Sequence, residues 1–281
     1  MRSITVPIFA ARDTFDQCVD SLRNRGLKER LRAIGGNIEV AAAAYEELGA
    51  QRAWYRIAAA TQVGAVTSDE LGQLYKNTLS RKRSRTRPIY DEILAAAPRG
   101  ICPLCAQRDA KTLDHFLPKS AHPALVVSPI NLVPSCSDCN KAKSDAQAGR
   151  EEEQTLHPYF DLVDADQWLR AEVIQGEPVT VRFLVVPPAT WPDALTERVR
   201  HHFAVFRLGA LYTTHAAVEL ANIRTILARL ADSAGPDGVR GRLIEDAEGR
   251  REQFLNAWQT AFYEALARSD WFCAEGYQMI G

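Results

Sequence analysis

The sequence predicts a mainly α-helical protein that contains a small ββα zinc module and a short β-hairpin. Two segments, residues 13–97 and a second one from 191 almost to the end, repeat apolar side chains at helical spacing. Between them lies a segment rich in proline and short polar runs that carries two Cys-x-x-Cys pairs. We therefore expect three regions, at residues 1–98, 99–162 and 163–281.

Composition narrows the class of protein. The chain has 281 residues, 46% of them hydrophobic and 25% charged, which excludes a disordered, collagenous or coiled-coil protein. The formal net charge is −1, so a nucleic-acid partner has to be argued from local clusters of cations. The N-terminus lacks the pattern of a secretory signal, and no apolar run is long enough to cross a bilayer. We expect a cytoplasmic protein without membrane contact.

The first region is predicted to be a small helical domain. Gly35-Gly36 ends the first helical stretch, and an alanine-rich stretch follows over residues 40–60. Thr67 and Glu70 have the spacing of a capping box, which predicts a further helix start. A proline opens a last short helix over residues 88–97, which leads into the cysteine segment.

A basic stretch over residues 76–87 contains six cations and no acidic residue. The default interpretation of a charge run is a solvated helix end. We favour contact with a nucleic-acid backbone, because these cations are a local excess in a chain of near-zero net charge and lie directly before the cysteine segment. Such contacts would add affinity without sequence preference. The candidates are Arg81, Lys82, Arg83 and Arg85.

The four clustered cysteines predict a structural zinc site. Each Cys-x-x-Cys turn presents two sulfurs to one ion, and four thiolates complete a tetrahedron. The ligands would be Cys102, Cys105, Cys136 and Cys139. In a reducing compartment these cysteines are not expected to form disulfides. The interpretation as a small buried hydrophobe is favoured for each of the two other cysteines, Cys18 and Cys273.

Polar residues between the cysteines are not needed to bind this zinc. We expect two short strands, a loop and a helix that begins near Cys136. On that frame Asp114 offers a carboxylate, Asn140 an amide oxygen and His115 an imidazole that accepts a proton near neutral pH. One divalent ion and one base are the minimum for metal-assisted hydrolysis of a phosphodiester.

The strings LDHFLPKS over 113–120 and NLVPSCSDCNKAK over 131–143 resemble the HNH endonuclease family, whose module is a ββα-metal finger. The three letters of the motif correspond to His115, Asn131 and Asn140, the last being Asn where the family often has His. The resemblance covers about 45 of the 281 residues, and the order and spacing of the motif residues and the flanking Cys-x-x-Cys pairs all agree with it.

The resemblance implies a role for each matched residue. His115 would be the general base, Asp114 and Asn140 would hold a catalytic Mg²⁺ or Mn²⁺, and Asn131 would orient the histidine across the loop. Products would carry a 5′-phosphate and a 3′-hydroxyl. Lys119, Lys141 and Lys143 flank the site; Lys119 and Lys143 are taken as candidate phosphate contacts, although exposed lysines are more often only solvated.

Each role has an alternative. For Asp114 and His115 the alternative is an inactive module that keeps only the zinc frame. For Asn140 the alternative is a residue that only caps the helix that begins near it. His157, in the string HPYFD that follows the module, either approaches the site, as in some stand-alone HNH proteins, or ties a loop. The overall alternative is a zinc-stapled nucleic-acid-binding or adaptor protein without cleavage activity.

The last region begins with a hairpin over 171–186 and continues as helices interrupted near 233–238. Its apolar stripes are typical of a core, with self-association as the minor interpretation. Helical flanks around an HNH module resemble nucleases of anti-phage defence or restriction systems. That resemblance implies DNA as substrate and allows for an ATPase or other regulatory protein partner and for a homo-oligomer.

Overall fold

The computed structural model describes residues 1–281 and is mainly α-helical, with three antiparallel two-stranded sheets. The predicted fold class is confirmed. The chain divides into two compact units, Met1–Leu162 and Val163–Gly281. The predicted regions 1–98 and 99–162 thus lie within the same unit.

The first unit begins with five helices and a minimal hairpin. They are α1 Ala11–Asp20, α2 Arg25–Ala33, α3 Gly35–Ala50, β1 Gln62–Val63, β2 Val66–Thr67, α4 Ser68–Asn77 and α5 Arg87–Ala95. The predicted capping box is present, since the Thr67 side chain accepts from the Glu70 amide and Glu70 reaches back to the Thr67 amide.

The helix expected over 40–60 is shorter than predicted, because α3 ends at Ala50. Arg52 adopts a left-handed backbone conformation with φ 59°. Its guanidinium donates to the carbonyls of Gly49 and Ala50, at 3.1 and 2.8 Å. These bonds satisfy the last carbonyls of the helix and redirect the chain, an ending that helical periodicity does not reveal.

The cysteine segment forms the expected two strands and helix: β3 Thr112–His115, β4 Leu132–Ser135 and α6 Ser137–Lys143. The strands pair antiparallel, with Asp114 opposite Val133 and His115 opposite Leu132. Cys136 caps α6, its sulfur accepting from the Cys139 amide at 3.3 Å. This arrangement places residues of β3 and α6 beside one another.

Apolar residues of the ββα module and of the N-terminal helices share one core. Leu113, Val126 and Leu132 of the module belong to the same buried cluster as Phe15 and Leu74. Cys18 lies in this cluster and is fully buried, as predicted. The module therefore packs against the helices that precede it and shares a core with them.

The second unit places a hairpin against helices. Its elements are β5 Leu169–Ile174, β6 Thr180–Val185, α7 Asp193–Val205, α8 Leu208–Arg251, α9 Trp258–Arg268 and α10 Asp270–Ala274. The predicted hairpin is present, and the interruption expected near 233–238 is a kink inside α8 at Gly235 and Pro236. Cys273 is buried here, as predicted. None of the helices combines the length and apolarity that a bilayer span requires.

Candidate functional site

The four predicted zinc ligands meet in space. The sulfur atoms of Cys102, Cys105, Cys136 and Cys139 all lie within 4.8 Å of one another, and all four residues are buried. A tetrahedral zinc with Zn–S bonds of about 2.3 Å needs sulfurs roughly 3.8 Å apart, so the ion fits this cluster with small adjustments. The cluster could bind a structural zinc ion.

Backbone amides donate to two of these four sulfurs, one in each Cys-x-x-Cys pair. The Arg108 amide donates to the Cys105 sulfur at 3.5 Å, and the Cys139 amide donates to the Cys136 sulfur at 3.3 Å. Hydrogen bonds among the four thiols lower the pKa of Cys105 and of Cys136, and raise the pKa of Cys102 and of Cys139. Deprotonated sulfur is the form that binds metal.

A polar cavity of about 330 Å³ opens beside the module. Asp114, His115 and Asn140 all line it, so the structure brings together the three residues that the sequence singled out for chemistry. The remaining lining residues are Tyr75, Ser80, Tyr90, Thr112, Leu113, Pro118, Lys119, Ser144 and Asp145.

His115 is held in one orientation. Its Nε2 lies 2.8 Å from the Val126 carbonyl, which only accepts, so Nε2 carries the hydrogen and Nδ1 keeps the lone pair. The ring of Tyr75 packs edge-on against the imidazole at 4.7 Å. Burial lowers the pKa of His115 to about 4. The imidazole is therefore neutral at pH 7 and has one nitrogen available to accept a proton.

Asp114 is buried next to a cation. Its Oδ2 lies 3.4 Å from Nζ of Lys143, and both side chains are under a tenth exposed. Burial raises the pKa of Asp114 to about 6, against the attraction of the lysine. The carboxylate is thus ionised at pH 7 in a poorly hydrated place, where a cation gains most from binding it.

Asn131 ties the loop that follows β3. Its Oδ1 accepts from the Leu117 amide at 2.8 Å, and its Nδ2 donates to the carbonyls of Leu117 and Leu125 at 3.1 and 3.3 Å. The side chain is fully buried. Because Val126 follows Leu125 directly, these bonds help to fix the carbonyl that orients His115.

Asn140 lies inside α6 and does not cap it, since the helix begins at Ser137 with Cys136 as its cap. Its half-buried side chain is on the cavity wall. The capping alternative for this residue is wrong.

The predicted phosphate contacts divide into two groups. Lys119 is exposed at the cavity, with its Nζ 5.9 Å from the Tyr75 ring centre, and Arg81, Lys82, Arg83 and Arg85 are exposed. Lys143 is different, because it is only 7% exposed and donates to the His115 carbonyl at 2.8 Å. The expectation that Lys143 reaches out to a phosphate is corrected: its ammonium is directed into the protein.

Sequence reasoning missed Tyr75, Tyr90 and Asp145. Tyr75 and Tyr90 come from α4 and α5, and the Tyr90 hydroxyl accepts from the Leu113 amide at 3.1 Å. In the sequence both look like core positions of amphipathic helices.

His157 lies outside the cavity and ties a loop. The His157 side chain is fully buried. Its Nε2 lies 2.8 Å from the Tyr45 hydroxyl, and its Nδ1 accepts from the Tyr159 amide at 3.2 Å. In the same HPYFD string, Asp161 accepts from the His157 amide and from Arg52 at 2.7 and 2.8 Å. The string connects the end of α3 to the module, since the Tyr159 hydroxyl donates to the Leu132 carbonyl.

The fold and the site define a mainly helical protein that carries a zinc-competent four-cysteine ββα module with a polar cavity beside it. Over 225 residues, 75% of each chain, it is 32% identical to protein ea31 of Escherichia phage lambda. The chain belongs to the family of that phage protein. No family model and no solved structure matches the chain.

Proposed function

We propose that this protein is a metal-dependent endonuclease of the HNH type that hydrolyses phosphodiester bonds in DNA. The observation that carries the proposal is the position of Asp114, His115 and Asn140 on one cavity. Two strands and a helix present them next to a cysteine cluster that could hold the frame together. A module that only binds nucleic acid needs no such trio.

His115 has the state that a general base requires. It is neutral near pH 7, and its Nε2 hydrogen bond leaves Nδ1 to accept a proton from water. That water would attack phosphorus while the bond to the 3′-oxygen breaks, and the departing oxygen would take up a proton from solvent. The products would be a 5′-phosphate and a 3′-hydroxyl.

Asp114 and Asn140 are the residues that would hold a catalytic Mg²⁺ or Mn²⁺. A carboxylate and an amide oxygen suit these hard cations, and the burial of Asp114 favours a cation beside it. When bound, the ion would neutralise charge that develops on the departing oxygen. The zinc of the cysteine cluster would be structural.

The exposed cations near the cavity fit a polyanionic substrate. Ser80 lines the cavity, and the basic stretch continues directly from it through Arg81, Lys82, Arg83 and Arg85. Contacts from such a loop go to the phosphate backbone and provide affinity without base preference. We take DNA as the substrate.

A phage-encoded relative is compatible with a phage-related role. We place the nuclease in an anti-phage defence or restriction system, where an ATPase or other regulatory partner would control cutting. The competing function is a zinc-stapled nucleic-acid-binding or adaptor protein.

Incubation of the zinc-loaded protein with supercoiled plasmid, with and without Mg²⁺ or Mn²⁺, separates these functions. We expect nicking that depends on the added divalent ion and is lost in Asp114→Asn, while this variant keeps its zinc. Plasmid binding without nicking by the wild type under all of these conditions would favour the adaptor. Equal nicking by Asp114→Asn would remove Asp114 from the ion site.

A further inference from the structure

Lys143 places a buried positive charge on the candidate ligand Asp114. Its Nζ lies 3.4 Å from Asp114 Oδ2 and donates to the His115 carbonyl at 2.8 Å. The side chains of Lys143 and Asp114 are 8% and 9% exposed, so little water screens the pair. Lys141, two residues earlier on the same helix, is exposed.

A divalent ion on Asp114 would be close to this ammonium. Mg²⁺ binds carboxylate oxygens at about 2.1 Å, so an ion on Oδ2 would lie at most roughly 5.5 Å from Nζ. Like charges repel strongly at this distance in a poorly hydrated site. The ion and the ammonium therefore compete for one negative charge.

We propose that Lys143 sets the divalent-ion affinity of the Asp114–Asn140 site by acting as a built-in competing cation. The inference rests on the proposed function, in which Asp114 is an ion ligand. Asn140 and Lys143 are three residues apart on α6, so one helix turn carries both a candidate ligand and the competitor. The site would then fill only above a threshold concentration of divalent ion.

A purely structural role for Lys143 makes a different prediction. Its bond to the His115 carbonyl ties α6 to β3, and loss of that tie alone would loosen the site. A loosened site binds ions more weakly. A competing cation, when removed, leaves a site that binds more tightly.

Mn²⁺ binding to the zinc-loaded full-length protein, measured by electron paramagnetic resonance, separates the two roles. We expect Lys143→Met to lower the Kd for Mn²⁺ at least about tenfold. Lys143→Gln keeps a donor for the His115 carbonyl and should show the same direction. Lys143→Arg keeps the charge and should stay near the wild type. Lys141→Met, which removes an exposed charge from the same helix, should change Kd less than about twofold.

Unchanged or weaker Mn²⁺ binding in both Lys143→Met and Lys143→Gln would overturn the inference, provided that the wild type binds Mn²⁺ and Asp114→Asn does not; the proposed ion site would then stand. If Lys141→Met lowered the Kd for Mn²⁺ as much as Lys143→Met does, the inference would also be overturned, because the change would then follow from net charge alone. Absence of Mn²⁺ binding from all variants, or binding that persists in Asp114→Asn, would overturn both the inference and the proposed ion site.

Discussion

Burial shifts the pKa values of Asp114 and His115 in opposite directions. The pKa of Asp114 rises to about 6, and that of His115 falls to about 4. In both cases the low-dielectric environment disfavours the charged form. These two neighbours on β3 therefore make opposing contributions to the dependence of stability on pH.

The signs follow from proton uptake. Between pH 6.5 and 4 the unfolded chain protonates His115 while the folded protein does not, so this residue lowers stability as pH falls. Between pH 6 and 4 the folded protein protonates Asp114 while the unfolded chain keeps it ionised, so this residue raises stability as pH falls. The two effects oppose each other in the wild type, and the His115 effect is the larger of the two.

Substitution of one of the two residues should make the effect of the other on the pH dependence of stability measurable. From pH 7 to pH 5, we expect Asp114→Asn to lose about 2 kcal/mol of unfolding free energy from His115, and His115→Gln to gain about 1 kcal/mol from Asp114. Urea denaturation of both variants and the wild type at the two pH values measures this. Any zinc bound by the four cysteines should contribute equally to all three proteins, so parallel changes in all of them would contradict the opposing shifts.

At the residue scale, the sequence predicted which residues line the cavity better than it predicted how deeply each of them is buried. The carboxylate, imidazole and amide of the cavity could be predicted because their order and spacing matched a known motif. The burial of Lys143 could not, since Lys141 and Lys143 look alike in sequence and only the packing of α6 against β3 separates them. The cavity wall formed by Tyr75 depends in the same way on tertiary packing.

At the scale of elements, the cysteine cluster joins the turn before β3 to the start of α6. The second cysteine pair, Cys136 and Cys139, lies at the first turn of that helix. The first pair lies on a turn that is closed by a hydrogen bond from the Cys102 amide to the Arg108 carbonyl at 2.7 Å. Since α6 has only seven residues, it is too short to be stable alone. A zinc ion would fix its position relative to β3.

Removal of one cysteine ligand should therefore abolish zinc binding and destabilise the fold of the module. We expect Cys102→Ser to lose the zinc and to expose the module to proteolysis, while Cys273→Ser, a buried cysteine of the other unit, keeps one zinc per chain. Zinc content by mass spectrometry and limited proteolysis are the measurements. One tightly held zinc in Cys102→Ser would contradict a four-cysteine site.

The basic loop between α4 and α5 is held at both ends. The Arg87 guanidinium donates to the Ser80 carbonyl at 2.7 Å, and the buried Thr78 hydroxyl donates to the Leu74 carbonyl at 2.5 Å. The exposed cations between these anchors, Arg81 to Arg85, thus project from a fixed base. Such a loop is suited to follow a phosphate backbone.

Neutralisation of two of these cations should weaken DNA binding and its salt dependence together. We expect Arg81→Gln/Arg83→Gln to reduce the slope of log K against log salt by about 2. Arg23→Gln/Arg25→Gln, which removes two exposed cations near the start of α2, is the control. Fluorescence anisotropy with a short duplex at several salt concentrations measures both. Equal slopes in the two double variants would count against the loop.

At the scale of the whole molecule, the helical class and the ββα module were predictable from periodicity and cysteine spacing. The association of the module with the N-terminal helices was not, because contacts such as Leu113 with the helical core join residues far apart in sequence. The end of α3 depends likewise on Arg52, which the structure pairs with Asp161 more than a hundred residues later. Local patterns do not contain such contacts.

The central claim is that His115 activates water in a cavity built on the cysteine frame. The most direct test is the single-turnover nicking rate of zinc-loaded protein, compared among the wild type, His115→Ala and His122→Ala, a buried histidine outside the cavity. We predict that His115→Ala slows nicking by at least about 100-fold and that added imidazole partly restores it, while His122→Ala stays within a few-fold of the wild type. Equal rates for His115→Ala and the wild type would contradict the account.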